Sequence, residues 1–505
     1  MNLSRFVPRF DLTPDDAAAI QVLLRIVLGV IVFYRAALDA VTSNYVPDLM
    51  NSAWGGLLQP ELFIVLGVLL ILGIADRWAF AFLAVSYAAY NLGARQMNLG
   101  PLVMIPLFVL GAVNAAAPHY SVSEVVCSRL PRGFRGWRFP IALSSTSLSI
   151  PLAWIFFCYA LNSLCAVTLH LQDESWLRGE TVWKIFTNNF LCRYFTFFRG
   201  VESRLGLTVP LFASALAILV QTIFQLFMWP FACTRPGSWG RWFVILQGFG
   251  FFTISWLFMQ LSVLPPVELL TWTVLFWSEL KSLVRRSSHV PTSQCEVVER
   301  IHGNRAFACL TVGMVTLTIF CLVDIGFRLS QQLPSQSRLA QAAASLRHGI
   351  KHAGVWPPDV LNKTDLKMGE AYFVLYEDRR GTMTRVPVFH EDGARDWYHA
   401  SDLCYFGLTL PWRRSSIAVS NWNQVPKPLV ALIKWTARVH VGYSGGGDET
   451  RRFRFKILRD HSMDLRLPPA ERYRAIEVCQ GDFDIPSVAA RQPEQTVSRD
   501  DHAIR

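Results

Sequence analysis

A cluster of polar and aromatic residues follows an apolar run in "YALNSLCAVTLHLQDESWLRGETVWKIF", residues 159–186. Its members are His170, Asp173, Glu174, Trp176, Arg178 and Glu180. One interpretation is that the titratable and aromatic side chains of this cluster carry out chemistry. The alternative is structural, since helix ends at a membrane surface accept His, Trp and charged residues. Both interpretations require the apolar run to cross a bilayer.

The composition of the chain indicates a membrane protein. Of 505 residues, 52% are hydrophobic and only 17% are charged, which is too apolar for an ordinary soluble globule. The net charge is +11, but Lys and Arg lie mostly beside apolar runs, as membrane insertion favours. We therefore expect the lipid bilayer, and not nucleic acid, as the partner of this chain.

Runs of roughly twenty apolar residues predict the spans. Eight clear candidates are 17–38, 62–74, 78–92, 99–117, 150–171, 209–232, 242–264 and 306–327. A ninth, 267–283, is weaker because it contains Glu268, Glu279 and Lys281. The predicted fold is an α-helical polytopic membrane bundle of eight to nine helices with a C-terminal extracytoplasmic β-rich domain.

Two local signals predict helix ends. In "DLTPDDAA", Thr13 is the expected N-cap and Pro14 the first helical residue. The only polar residues between the second and third spans are Asp76 and Arg77, so these spans should form a tight antiparallel hairpin.

The distribution of Lys and Arg predicts the orientation. Residues 1–16 contain Arg5 and Arg9 and no cleavable signal, whereas the first loop has no Lys or Arg. The N-terminus should therefore be cytoplasmic. Alternation then predicts that the cluster after residue 171 and the tail after Phe327 are extracytoplasmic.

The remaining domain boundaries follow from a change in composition. Residues 17–327 form the transmembrane domain, 328–355 a linker, 356–482 the β-rich domain and 483–505 a polar, disordered tail. Hairpins are predicted at 371–393, around "EDRRGT", and at 437–458, around "SGGGDE".

The β-rich region offers two weak site signals. Cys404 and Cys479 are its only cysteines, and whether they form a disulfide stays open. Acidic and histidine residues crowd residues 390–402, but their spacing matches no known ligand set and "HEDG" also fits a turn. We therefore predict no metal site.

Polar side chains recur within three consecutive predicted spans. They are Asn162, Thr168, Gln221, Gln225, Gln247, Ser255 and Gln260. Intramembrane amides are costly unless they pair or line a cavity. They predict either hydrogen bonds between helices or a substrate pocket near the outer side, roofed by residues 180–200.

Three stretches carry a resemblance to a known family. "LLRIVLGVIVFYRA", the span ending in "HLQDESWLRGETV", and "ILVQTIFQLFMWPFACTRPGSWGRWFVILQGFGFFTISWLFMQLSVLPP" resemble the HTTM domain. This domain is shared by vitamin K-dependent gamma-carboxylases and bacterial relatives of the sporulation-delaying protein B type. The resemblance covers about residues 17–327.

The resemblance implies a strong-base mechanism with a reduced quinone of the vitamin K type as cofactor. Oxygenation of the reduced quinone yields a base that removes a γ-proton from a substrate glutamate, and CO₂ then adds to the resulting carbanion. In the family a lysine before the Trp-x-x-Gly motif deprotonates the hydroquinone. Here His170 stands at that end, and the nearest lysine, Lys184, follows the motif.

The resemblance and the polar faces together define the candidate site. His170 is the candidate catalytic residue, and Trp176 and Gly179 shape the outer turn. The pocket would be lined by Gln221, Gln225 and Gln247. Three function classes follow: a carboxylase-like enzyme acting on a peptide or quinone, a non-enzymatic factor for maturation or export of a secreted peptide, and a transporter. The transporter ranks last, because the sequence has no internal repeat.

Overall fold

The structure is a computed structural model, which describes part of the chain. The described residues are 8, 10, 12–43, 60–93, 99–115, 121–122, 143–145, 147–171, 173–188, 192–259, 264–284, 370–377, 383–385, 451–459, 464–474 and 476–485. The predicted span 306–327, the linker 328–355 and the crowded residues 390–402 lie outside them. The chain divides into two units, and most of the helices belong to one and the strands to the other.

The described part of the chain is mostly helical. Its first twelve helices are α1 Pro14–Ser43, α2 Pro60–Leu72, α3 Asp76–Gly93, α4 Leu99–Val113, α5 Ser149–His170, α6 Glu174–Leu177, α7 Thr181–Thr187, α8 Phe195–Leu205, α9 Thr208–Ala232, α10 Trp239–Phe258, α11 Leu264–Leu275 and α12 Trp277–Val284.

Three of these helices are long and apolar enough to cross a membrane. They are Pro14–Tyr34 within α1, then α9 and α10. Shorter apolar helical segments occur in α2, α4, α5 and α11. The lengths and composition of these helices are consistent with a lipid bilayer environment.

The start of α1 has the predicted cap. The Thr13 hydroxyl accepts a hydrogen bond from the Asp16 backbone N–H, and the Asp16 carboxylate accepts from the Thr13 backbone N–H at 3.0 Å. This reciprocal pair satisfies two of the backbone donors that a helix N-terminus leaves open. Helix α1 accordingly begins at Pro14.

The helices α2 and α3 are separated by residues 73–75 alone, which agrees with the predicted tight turn. Gly73 and Ala75 both have positive φ, at +69° and +49°. Gln21 of α1 donates to the Asp76 carboxylate at 3.0 Å. The start of α1 and this turn therefore lie at the same end of the bundle.

The weak ninth span is two helices, α11 and α12, which meet at Phe276. Two of its three charged residues have opposite charges as partners. Glu279 pairs with the buried Arg241 at the start of α10, and Lys281 pairs with Asp16 at the start of α1. Charge compensation explains how this segment holds Glu279 and Lys281 despite its apolar pattern.

Aromatic rings hold α5, α9, α10 and α11 together. The buried Trp272 of α11 contacts Phe156 and Tyr159 of α5, with ring centroids 5.9 Å and 5.7 Å away. It also lies against Gly248 of α10, where a Cβ atom would overlap its indole. Small residues at such contacts let membrane helices approach closely.

The other unit contains a sheet with the strand order β2-β1-β3-β4. Its strands are β1 Glu370–Glu377, β2 Met383–Arg385, β3 Arg451–Arg459 and β4 Ile476–Ile485, with the short helix α13, Pro469–Arg472, before β4. All neighbouring strands pair antiparallel. Strands β1 and β2 flank the predicted turn "EDRRGT".

The second predicted hairpin, at residues 437–458, is wrong. It required β3 to pair with the residues before "SGGGDE", but β3 lies between β1 and β4. Because a strand has only two edges, β3 has none left for that pairing along residues 453–459. Strand β4 ends at Ile485, so ordered structure also enters the predicted tail 483–505. Cys479 lies in β4, and Cys404 lies outside the described residues.

Candidate functional site

The structure brings His170 and Trp176 into direct contact. Their rings stack with centroids 3.7 Å apart and planes 19° from parallel. His170 is the last residue of α5 and is 6% exposed. The imidazole is therefore held by an aromatic face and not displayed freely at the surface.

The spacing from Trp176 to Gly179 is that of a helix C-terminal turn. The short helix α6 begins after Asp173, whose carboxylate accepts from the Ser175 backbone N–H at 2.9 Å. After Leu177, the Gly179 N–H donates to the Trp176 carbonyl and the Glu180 N–H to the Ser175 carbonyl. This pair of hydrogen bonds is the Schellman motif, which requires a left-handed residue at the position of Gly179.

Gly179 meets that requirement and also allows close packing. Its φ is +74°, and a Cβ atom there would lie 2.6 Å from the Ala215 Cβ of α9. The turn that carries Trp176 therefore rests directly on α9.

Lys184 returns to the same turn through helix α7. Its Nζ donates to the Ser175 hydroxyl at 2.7 Å and forms an ion pair with Glu180 at 2.8 Å. The Lys184 and Glu180 side chains are only 6% and 19% exposed. An ammonium group thus lies beside the residue that precedes Trp176, although the sequence alone sets it on the far side of the motif.

A second buried set connects α7 to its neighbours. The Trp183 indole donates to the Glu202 carboxylate of α8 at 2.9 Å, and Glu202 is 2% exposed. The Trp183 backbone N–H donates to the Ser214 hydroxyl of α9 at 3.2 Å. These contacts fix α7, and with it Lys184, against α8 and α9.

The three glutamines lie deeper along α9 and α10. Gln247 donates to the Gln221 side-chain oxygen at 3.2 Å, which is the hydrogen bond between helices expected for intramembrane amides. Gln225 lies one turn from Gln221 and is 9% exposed, and its buried side-chain oxygen has no donor among the described residues. The pairing interpretation thus describes Gln221 and Gln247, but it does not account for Gln225.

One face of α9 runs from the turn that carries Trp176 and Gly179 to the glutamines. Ser214, Gln221 and Gln225 are seven and eleven residues apart, so they share one face of the helix. Ser214 meets α7, and Gln221 lies about 10 Å further along the axis. His170, Trp176 and Gly179 thus form one cluster at the turn, and the glutamines form another below it.

Sequence reasoning missed Lys184, Ser175 and Glu202 as members of the site. The signal for Lys184 was present, because Glu180 and Lys184 are four residues apart and such pairs meet on a helix. No sequence signal connects Trp183 with Glu202, whose contact depends on how α7 and α8 pack. Among the described residues, no three His, Cys, Asp or Glu side chains come together as metal ligands.

Comparisons with protein families, with curated protein sequences and with solved structures find no match to this chain. The assignment of a function therefore depends on the residues of the site and on their geometry.

Proposed function

We propose that this chain is an HTTM-type integral membrane protein, similar to vitamin K-dependent gamma-carboxylases, that acts on a peptide, a quinone or both on the outer side of the membrane. In this proposal the chain crosses the bilayer eight to nine times, with a cytoplasmic N-terminus and an extracytoplasmic β-rich domain. The cofactor is a reduced quinone of the vitamin K type.

The observation that supports this proposal most strongly is the convergence of three groups on one turn. These groups are the imidazole of His170, the indole of Trp176 and the ammonium group of Lys184. His170 stacks on Trp176, and Lys184 donates a hydrogen bond to Ser175, the residue before Trp176. The family chemistry needs a base that deprotonates a hydroquinone and a positive group that holds a carboxylate.

The two candidate bases differ in their surroundings. Lys184 already forms an ion pair with Glu180. His170 stacks on Trp176 and lies at the end of a predicted span. We therefore assign His170 the role of base toward the hydroquinone and Lys184 the role of holding the anionic group of the substrate.

The alternative function is a non-enzymatic factor for maturation or export of a secreted peptide. Strand β4 favours it, because it is a ten-residue strand at one end of the order of the described strands. An extended peptide can pair with the backbone of such a strand.

A binding experiment tests the proposal. The full-length protein is purified in detergent after co-expression with a secreted glutamate-containing peptide, and bound peptide and quinone are identified by mass spectrometry. We expect both ligands with the native protein and reduced occupancy with Lys184→Met. The matched control is Glu174→Gln, because Glu174 lies on the same turn but is exposed and pairs only with Arg178 among the described residues.

The outcomes separate the two functions. Peptide without quinone would favour the non-enzymatic factor. Neither ligand, or equal occupancy in Lys184→Met, would contradict a site at this turn.

A further inference from the structure

Glu268 of α11 has no partner of opposite charge among the described residues, unlike Glu279 of α12. Glu279 pairs with Arg241, but no Lys, Arg or hydrogen-bond donor of the described residues contacts the Glu268 carboxyl. Its helix carries no other charged residue, and its side chain is half-buried. Ionisable residues inside a bilayer are costly, and they commonly face a partner or an ion path.

Two hydroxyl groups lie near the face of α11 that carries Glu268. Thr271 and Trp272 follow it by three and four residues, so the three share one face. Tyr159 of α5 lies near both Glu268 and Thr271, and its ring contacts Trp272 at 5.7 Å. The Thr271 hydroxyl gives its proton to the Val267 carbonyl at 2.8 Å, so its lone pairs remain available as acceptors.

The antiparallel packing of α5 against α11 adds an amide oxygen at this level. Phe156 contacts Phe276 at 5.8 Å, and Tyr159 contacts Trp272. One further turn along each helix brings Asn162 level with Glu268. The Asn162 side-chain oxygen is buried and has no donor among the described residues.

Helix α9 adds a second amide oxygen. Its Trp229 contacts Phe157 of α5 at 5.4 Å, and its Phe224 contacts Trp272 at 6.2 Å. Gln225 therefore lies within about one turn of the level of Asn162. Its side chain is nine-tenths buried, and its oxygen has no donor in the described part of the chain.

These five side chains offer oxygen acceptors and one negative charge. Buried acceptors without donors are unfavourable, and oxygen ligands suit hard cations. A divalent ion is usually held by more than one carboxylate or by bound phosphates, whereas one carboxylate balances a single positive charge. We propose that Glu268, Tyr159, Asn162, Gln225 and Thr271 form a binding site for a monovalent alkali cation in the helical bundle.

The cation site does not depend on the proposed peptide and quinone function. It shares Gln225 with the predicted substrate pocket, but it does not require His170, Trp176 or Lys184. A bound cation would connect α5, α9 and α11 through their oxygens and thereby stabilise the bundle.

Equilibrium binding of radioactive sodium to the full-length protein in detergent tests this site, with unlabelled sodium, potassium or choline as competitor. We expect saturable binding that sodium or potassium displaces and choline does not. Glu268→Gln keeps the size of the side chain and removes its charge, so binding should be lost. Tyr159→Phe keeps the ring contacts with Trp272 and should weaken the affinity.

The matched control is Glu61→Gln, which removes an exposed carboxyl at the start of α2 and should bind like the native protein. Gel filtration shows whether each variant stays folded. If Glu268→Gln does not stay folded, the affinity of Tyr159→Phe decides the test. Absence of saturable binding to the native protein, or native affinity in the folded variants, would overturn the proposal. A failed peptide or quinone assay would leave this result unaffected.

Discussion

The imidazole of His170 lies face to face with the indole of Trp176, 3.7 Å from centroid to centroid. This stack joins the end of α5 to the turn after it, and Lys184 binds the Ser175 hydroxyl on the same turn. Aromatic contact fixes the plane of a ring that would otherwise rotate. The proposed base is thus oriented by the residue that begins the Trp-x-x-Gly motif.

Replacing Gly179 by alanine should destabilise the protein for two reasons. A positive φ costs a non-glycine residue roughly 1 kcal/mol, and the new methyl group would press on Ala215, which adds about 1–3 kcal/mol. Thermal unfolding in detergent measures the sum. Gly206→Ala is the matched control, because Gly206 has φ +70° and no atom within 4 Å of the added Cβ. Equal losses in the two variants would contradict close packing of the turn on α9.

Gly248 and Gly250 should respond in opposite ways to alanine. At Gly248 the methyl group would overlap the Trp272 indole, so we expect overpacking to cost about 1–3 kcal/mol. Gly250 has open space around its Cβ position, and alanine favours a helix by up to about 1 kcal/mol. The thermal unfolding midpoints of the two variants, compared with that of the native protein, test this difference. A stable Gly248→Ala would mean that α10 and α11 do not pack as described.

The Arg241–Glu279 pair should behave as a unit. Both side chains are buried, so removing one leaves an uncompensated charge and should cost about 3–5 kcal/mol. Replacing both by methionine should cost much less than the sum of the single changes. A double-mutant cycle of Arg241→Met and Glu279→Met, followed by thermal unfolding, measures the coupling. Additive effects would show that the pair does not form.

The Cys233 thiol should react slowly with maleimide at neutral pH. Burial raises the pKa of Cys233 to about 11, although the nearby Arg241 charge acts in the opposite direction. Since the thiolate is the reactive form, near pH 8 the rate should be roughly a hundredfold below that of an ordinary thiol. It should rise steadily as the pH approaches 11.

The control for that measurement is a protein whose only cysteine replaces the exposed Thr234. Thr234→Cys should react at the ordinary rate. With a membrane-impermeant reagent, it should be labelled only from the cytoplasmic side. A fast reaction of Cys233 would contradict its burial, and labelling of Thr234→Cys from outside would contradict the proposed orientation.

Several features of this fold follow from local sequence signals. Thr13 and Asp16 form the predicted cap, and the turn predicted at Asp76 and Arg77 lies directly before them, at residues 73–75 between α2 and α3. These signals succeed because their chemistry acts within a few residues. By contrast, the partners of β3 depend on distant strands, and the sequence around "SGGGDE" favoured a local hairpin that the sheet does not use.

The candidate site was only partly predictable for the same reason. His170, Trp176 and Gly179 lie within ten residues, so one helix end brings them together. The positions of Lys184 and Glu202 depend on the direction in which α7 leaves the turn and on its packing against α8. The partner of Gln221 is on another helix, so the sequence could not show that Gln221 is paired while the Gln225 side-chain oxygen has no donor among the described residues.

The central claim is that the turn of His170 and Trp176 carries carboxylase-like chemistry. The most direct test supplies membranes that contain this protein with isotope-labelled bicarbonate, reduced quinone and a glutamate-containing peptide, and then determines the peptide mass. We predict a labelled carboxyl group on glutamate that is absent with His170→Ala and retained with Glu174→Gln. An unmodified peptide with the native protein, or equal labelling with His170→Ala, would contradict the claim.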